Sequence, residues 1–206
     1  MVRVATALLA LLAVVNFPDP QKDMHPTGKS DTVVLAAGCF WGVEGVFERV
    51  KGVTEATSGY AGGSKMTAHY EVVSSGVTGH AESVKVSYDP SQISFGQLLK
   101  VYFAVAHDPT ELNRQGPDEG TQYRSSIFYT SEEQKAVALA YIAQLDKAGV
   151  FRSRIVTKVV PLDGFYPAED YHQRFFDRNP NYPYIVFNDL PKVKHLQADF
   201  PELLKR

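Results

Sequence analysis

Thr32-Val33-Val34-Leu35-Ala36-Ala37-Gly38-Cys39-Phe40-Trp41-Gly42-Val43-Glu44-Gly45-Val46-Phe47-Glu48-Arg49-Val50 reads as a strand, a tight turn and a helix in one unbroken run. Residues 32–37 are a short apolar stretch with two valines, the pattern of a buried strand. Gly38 ends it. Val43, Val46, Phe47 and Val50 then recur at i, i+3, i+4 and i+7, the spacing of one helix face, while Glu44, Glu48 and Arg49 occupy other faces. Gly52 is the stop signal. The chain's one cysteine, Cys39, falls at the junction.

Working outward, residues 53–60 suit a second strand, followed by about 20 residues rich in Gly, Ser and Thr that read as a long loop. Glu82, Val84, Val86 and Tyr88 alternate with Ala81, Ser83, Lys85 and Ser87, which predicts a two-faced strand ended by Asp89-Pro90. Leu98, Val101, Tyr102 and Val105 predict a second helix with Ser94 as its N-cap. A second long loop spans roughly 107–122. A strand over 124–129 and a helix from Ser131 to about Lys147, closed by Ala148-Gly149, come next. Another strand is expected over 154–160 and a short helix over 167–177. Helices alternate with strands but hairpin pairs also occur, which favours an α+β sandwich over a purely parallel sheet. Long loops without structure of their own are usually functional, and here there are two.

Bulk properties narrow the function classes. The chain has 206 residues, enough for one well-buried core. Apolar residues make up 44% and the formal net charge is -2, so nothing marks a nucleic-acid-binding surface. One cysteine rules out an intrachain disulfide and a cysteine-based zinc cluster, and the six histidines show no metal-binding spacing; neither a metal nor a cofactor is expected. Residues 1–30 stand apart. Arg3 followed by the apolar run Val4–Val15 is a signal-peptide core, too short to span a bilayer, a disordered start, or the product of a wrongly assigned first codon; Pro, Asp and Lys then mark a linker. Residues 31–206 are expected to be a single catalytic domain. Its location would be exported if the leader is real and cytoplasmic otherwise.

A lone cysteine is most often a small buried hydrophobe. Cys39 differs in its setting. A helix N-terminus offers unpaired N–H groups that favour negative charge, which lowers a thiol's pKa. Its flanking glycines, Gly38 and Gly42, let the backbone turn sharply and a substrate come close. Phe40 and Trp41 lie outside the Val43/Phe47 stripe. Either they cap the sheet as core residues or they cup a methyl or thioether group, since sulfur packs well on aromatic faces.

Gly38-Cys39-Phe40-Trp41-Gly42 resembles the signature of the S-epimer-specific peptide methionine sulfoxide reductase A family. The resemblance continues in order through Ser58-Gly59-Tyr60-Ala61-Gly62-Gly63, Tyr70-Glu71-Val72-Val73-Ser74-Ser75-Gly76, Thr78-Gly79-His80-Ala81-Glu82 and Tyr88-Asp89-Pro90. It resumes at His107-Asp108-Pro109, Arg114-Gln115-Gly116-Pro117-Asp118, Gly120-Thr121-Gln122-Tyr123-Arg124-Ser125 and Glu169-Asp170-Tyr171-His172-Gln173, and spans about residues 32–195. It implies a ferredoxin-like two-layer α+β sandwich with long added loops. It implies Cys39 as nucleophile, Phe40 and Trp41 as the cup for the sulfoxide methyl, and Glu82 as the acid that protonates the sulfoxide oxygen. Tyr70 and Tyr123 would hydrogen-bond that oxygen, and Asp118 would anchor the substrate's backbone side. By position alone Glu82 would be a solvent-facing strand residue, Tyr70 and Tyr123 packing residues, and Asp118 a turn former. The substrates implied are oxidised proteins or peptides and free methionine sulfoxide.

The chain departs from many relatives in having no further cysteine near its C-terminus; Pro183-Tyr184-Ile185-Val186-Phe187-Asn188 stands where one often appears. Oxidised Cys39 would then depend on an outside thiol: thioredoxin, glutaredoxin with glutathione, or a small dithiol. Three rival readings use the same cysteine. A thiol peroxidase would not require the aromatic cup, a cysteine hydrolase would need His80 or His107 as base, and a non-catalytic module would only hold oxidised methionine.

Overall fold

The computed structural model describes residues 17–25, 28 and 30–205. The expected signal-peptide core, Val4–Val15, lies outside the described residues. Strands β1 (Asp31–Ala37), β2 (Val53–Ala61), β3 (Ala81–Tyr88) and β6 (Ser125–Tyr129) alternate with helices α1 (Phe40–Phe47) and α3 (Phe95–Val101). In the sheet these four strands run β6-β1-β3-β2, all antiparallel, which is the expected ferredoxin-like order. The edges are extended by β7 (Lys158–Pro161), parallel to β6, and β8 (Phe165–Pro167), antiparallel to β2.

β1 is buried on both faces, which explains its unbroken apolar run. Val33, Leu35 and Ala37 join the main core with Val43, Val46, Phe47 and Val50 of the α1 segment. Val34 and Ala36 face the other way, onto Ala61, Ala81 and Phe128. Ser94 caps α3 in a full capping box with Gln97. Ser131 caps α4 (Glu132–Ala148), which ends on left-handed Gly149.

The segments that sequence left as loops or linkers carry short elements. Within 61–80 lies a helical turn, α2 (Tyr70–Val73), and within 107–122 a small hairpin, β4 (Arg114–Gln115) with β5 (Asp118–Glu119). The strand expected over 154–160 begins only at Lys158. Instead of a helix over 167–177, Pro167 completes β8 against Gly59, and only α5 (Phe175–Arg178) is helical. A strand and a short helix share those residues because β2 still has a free edge to pair. Residues 17–25, expected as linker, lie against the body. The Pro18 carbonyl accepts from the Tyr141 hydroxyl at 2.6 Å, Asp19 pairs with Lys100 at 2.7 Å, and Asp23 accepts from the Gly96 N–H at 2.8 Å.

α1 is buried nearly all round, not on one stripe. The C-terminal segment, with α5 and α6 (Leu190–Asp199), packs on its outer side. Two glycines allow this approach: a methyl at Gly42 would lie 2.0 Å from an Asp189 oxygen, and one at Gly45 would lie 2.8 Å from the Phe176 ring. Glu44, on the face expected to be polar, is 1% exposed and accepts from the Arg174 N–H at 2.8 Å. Burial, reinforced by Glu48, pushes its carboxyl up to about 7 against that N–H. A raised carboxyl favours the fold while protonated, so this contribution is present at low pH and is lost as pH rises from about 4.5 through about 7. Glu44→Gln is therefore expected to be more stable than the parent at pH 8, by up to about 3 kcal/mol, and no more stable at pH 4. Thermal melts at the two pH values check this; an equal shift at both would contradict it.

Candidate active site

Gly38 (φ 84°) makes the turn from β1 into α1, and a methyl there would lie 2.6 Å from the Gln115 side chain of the hairpin. Cys39 occupies the N-cap of α1, is 8% exposed and makes no capping bond with its side chain. The next residue, Phe40, donates its N–H to Oε2 of Glu82 at 3.1 Å. A buried carboxyl from the middle of the sheet thus meets the first turn of the helix that carries the thiol.

Glu82 is 3% exposed, not a solvent-facing strand residue. Burial, with smaller contributions from Asp118 and Asp189, pushes its carboxyl up to about 8 against the Phe40 N–H, so at pH 7 it is mostly the neutral acid. The thiol departs from expectation. Burial first, then Glu82, Asp189 and Asp118, hold Cys39 well above the usual thiol range, opposed by the Trp41 N–H. The helix N-terminus does not win here. Eight residues of helix supply a partial charge, whereas full desolvation and three carboxyls all favour the neutral form. At rest the site holds a thiol and a carboxylic acid side by side.

Around this pair stands an aromatic wall. Phe40 is buried beneath His172, with ring centroids 5.0 Å apart. Trp41 stacks on Phe175 at 3.8 Å and meets Tyr182 and Tyr184 edge-on at 6.1 and 5.9 Å. Its indole N–H donates to Nδ1 of His172 at 3.1 Å. Burial keeps His172 neutral, so accepting at Nδ1 puts its proton on Nε2. Tyr70, the first residue of α2, also packs against His172, with ring centroids 4.4 Å apart. Glu169 fixes that position by accepting from the Tyr70 N–H and from the Tyr60 hydroxyl, each at 2.9 Å.

The loop expected over 107–122 brings the remaining groups. Tyr123 lies close enough to Glu82, Asp118, Cys39 and Tyr70 that, after burial, their charges raise its phenol; burial and Glu82 raise Tyr70 as well. Both therefore stay protonated and able to donate. Asp118, on β5, accepts a hydrogen bond from the Tyr184 hydroxyl. Burial raises its carboxyl, opposed by Tyr184 and Lys192.

All seven residues singled out in the sequence thus converge on one region. Four more frame it: His172, Glu169, Tyr184 and Asp189. His172 and Glu169 lay in a recognised block without a role. Tyr184 lay in the segment noted for lacking a cysteine. Nothing in the sequence marked Asp189, which is fully buried with one oxygen unpartnered and the other 3.2 Å from Lys192.

The peptide methionine sulfoxide reductase family model matches residues 31–203. Peptide methionine sulfoxide reductase MsrA 2 of Mesorhizobium japonicum is 60% identical over 174 residues, 84% of this chain and 89% of that protein. The protein of the same name from Synechocystis is 50% identical over 192 residues, 91% of this chain and 90% of that one. Among solved structures, reduced Mxr1 of Saccharomyces cerevisiae is 34% identical with a TM-score of 0.67, covering 79% of this chain and 92% of that one. Methionine sulfoxide reductase A of Corynebacterium diphtheriae is 35% identical with a TM-score of 0.66, covering 77% and 80%.

Proposed function

The chain belongs to the peptide methionine sulfoxide reductase family and reduces methionine sulfoxide, and from that premise we propose that Cys39 attacks the sulfoxide sulfur of the S epimer directly while Glu82 protonates its oxygen. The observation that carries this reading is the 3.1 Å bond from the Phe40 N–H to Glu82, which sets a protonated carboxyl beside the buried thiol.

A sulfoxide oxygen leaves poorly until it gains a proton. Glu82 supplies one, and the Tyr70 and Tyr123 hydroxyls donate where negative charge grows on oxygen. The methyl group sits in the cup of Phe40 and Trp41, and Asp118 holds the substrate's backbone N–H once the Tyr184 hydroxyl yields it. Sγ bonds to the sulfoxide sulfur as the thiol proton passes to the Glu82 carboxylate, which has just given its own proton to the sulfoxide oxygen. Oxygen then transfers to Sγ, releasing methionine and leaving Cys39 as the sulfenic acid. The proton count balances between a neutral thiol and a neutral acid at the start and the same acid at the end. Both free and protein-bound methionine sulfoxide are substrates in this reading, residues 31–206 act as a single catalytic domain, and the product serves protein repair.

With one cysteine in the chain, the sulfenic acid is resolved by an outside thiol such as thioredoxin or glutaredoxin with glutathione. Racemic methionine sulfoxide with dithiothreitol should lose only its S epimer. Without reductant, intact-mass measurement after one turnover should show a single added oxygen on Cys39 and no intramolecular disulfide. Consumption of both epimers, or an intermolecular dimer as the obligatory product, would overturn the reading.

A further inference from the structure

Cys39 also lines a cavity. It measures about 440 Å³ and lies between the hairpin, α4's outgoing loop and α6, walled by Phe103, Pro117, Phe151, Tyr184, Lys192 and His195. None of Phe40, Trp41, Tyr70, Glu82 and Tyr123 contributes to it. Cys39 thus lines this cavity while the residue after it bonds Glu82, and Tyr184 likewise meets both the cavity and the site. Its ring lines the cavity, while its hydroxyl bonds Asp118 and its edge meets Trp41.

We propose that this cavity binds the thiol that resolves oxidised Cys39, and that its ligand is a small anionic thiol of about tripeptide size. This rests on Cys39 being the sulfenylated nucleophile. The oxygen left on Sγ lies on the side of Glu82, Tyr70 and Tyr123. Displacement at sulfur brings the attacking thiolate in opposite the group that leaves. The attacker must then approach from the side those three residues do not occupy, and the cavity is the space there. Its volume falls in the usual range for small-ligand sites. Lys192 supplies a cationic group, and His195 stands at the rim with its Nε2 2.9 Å from the Asp199 carboxylate. Lys192 gives one of its three donors to Asp189 at 3.2 Å, which leaves others for a ligand carboxylate. The one carboxylate in the lining, Asp108, has an oxygen already engaged by Thr110 at 2.6 and 2.9 Å.

The step balances. A new S–S bond joins Sγ to the thiol sulfur, the S–O bond breaks, and oxygen leaves as water with a proton from Glu82, replaced by the thiol's own. The sulfenic sulfur is reduced and the incoming sulfur oxidised. A second molecule of the same thiol attacks the mixed disulfide, releasing the symmetric disulfide and Cys39 thiol.

Two variants of the full chain test this, with glutathione and uncharged dithiothreitol as the probes. Ala104→Phe fills the cavity and His195→Glu places a negative charge at its rim. In the absence of reductant, both should form sulfenic acid from methionine sulfoxide at the parent rate. Ala104→Phe should slow resolution by either thiol about tenfold or more. His195→Glu should raise the KM for glutathione about fivefold and leave dithiothreitol unchanged. Parallel slowing of sulfenic acid formation in folded Ala104→Phe would make the cavity part of the sulfoxide pocket and overturn the proposal. So would glutathione turnover unchanged by His195→Glu, which decides the matter if the larger side chain prevents folding. A parent enzyme that forms no sulfenic acid would instead sink the reading of Cys39 itself.

Discussion

Cys39→Ser is expected to abolish reduction of methionine sulfoxide, a loss of at least about 10⁴-fold in kcat/KM. The chain contains no other thiol, so no neighbouring sulfur can substitute in the attack or store the oxygen. A serine hydroxyl is a far poorer nucleophile toward sulfur, and the site holds no base poised to ionise it: Glu82 is itself protonated near neutral pH and His107 is tied up between the Tyr102 carbonyl and Ser125. That arrangement also weighs against a hydrolase. His80, the other candidate base, points Nε2 at the Ser64 carbonyl. Binding should survive the substitution. Trp41 is the only tryptophan, so its fluorescence reports the cup directly, and the variant should show the same change on adding S-sulfoxide as the parent. Turnover that persists in Cys39→Ser would remove the nucleophile from the mechanism. Loss of both turnover and the fluorescence response would show that Cys39 shapes the pocket as well.

What the sequence made legible follows from how locally each feature is determined. The β1–α1 unit is readable because the apolar run, the helical spacing and the placement of Gly38 and Gly52 all fall within residues 32–52 and agree with one another. β3 was readable from alternation, and α3 and α4 from Ser94, Ser131 and Gly149. What escaped was set by partners distant in sequence. Glu44 looked like a solvated helix residue because the segment that buries it lies some 130 positions later. Tyr70 and Tyr123 carry no local sign of convergence; α2, which presents Tyr70, is held by Glu169, and Tyr123 sits on the short helical turn Thr121–Tyr123 that follows the hairpin. The thiol's ionisation is hidden from the sequence for the same reason. The helix N-terminus is a local feature and was visible. Three carboxyls from residues 82, 118 and 189, gathered around a desolvated sulfur, were not.

Glu82→Gln should slow reduction about 10²- to 10³-fold and change how the rate depends on pH. In the parent, the carboxyl carries its proton below about 8, while the phenols of Tyr70 and Tyr123 and the thiol of Cys39 titrate higher. The parent's kcat/KM should hence be level on the acid side and fall as pH rises through about 8, about tenfold per unit thereafter. In Glu82→Gln the amide still donates a hydrogen bond to the sulfoxide oxygen but has no proton to give, so the residual rate should lack that inflection. The same substitution should act oppositely on stability. A carboxyl whose folded value is raised from 4.5 to about 8 opposes folding once ionised, so the parent loses stability as pH rises through that window. Glutamine keeps an acceptor for the Phe40 N–H without the buried charge, and the variant should melt higher than the parent at pH 9. A residue that lowers stability where it is ionised, yet is needed for rate where it is not, is held in place by chemistry and not by packing. Retention of the inflection near 8 in Glu82→Gln would assign that proton to another group and remove Glu82 as the acid.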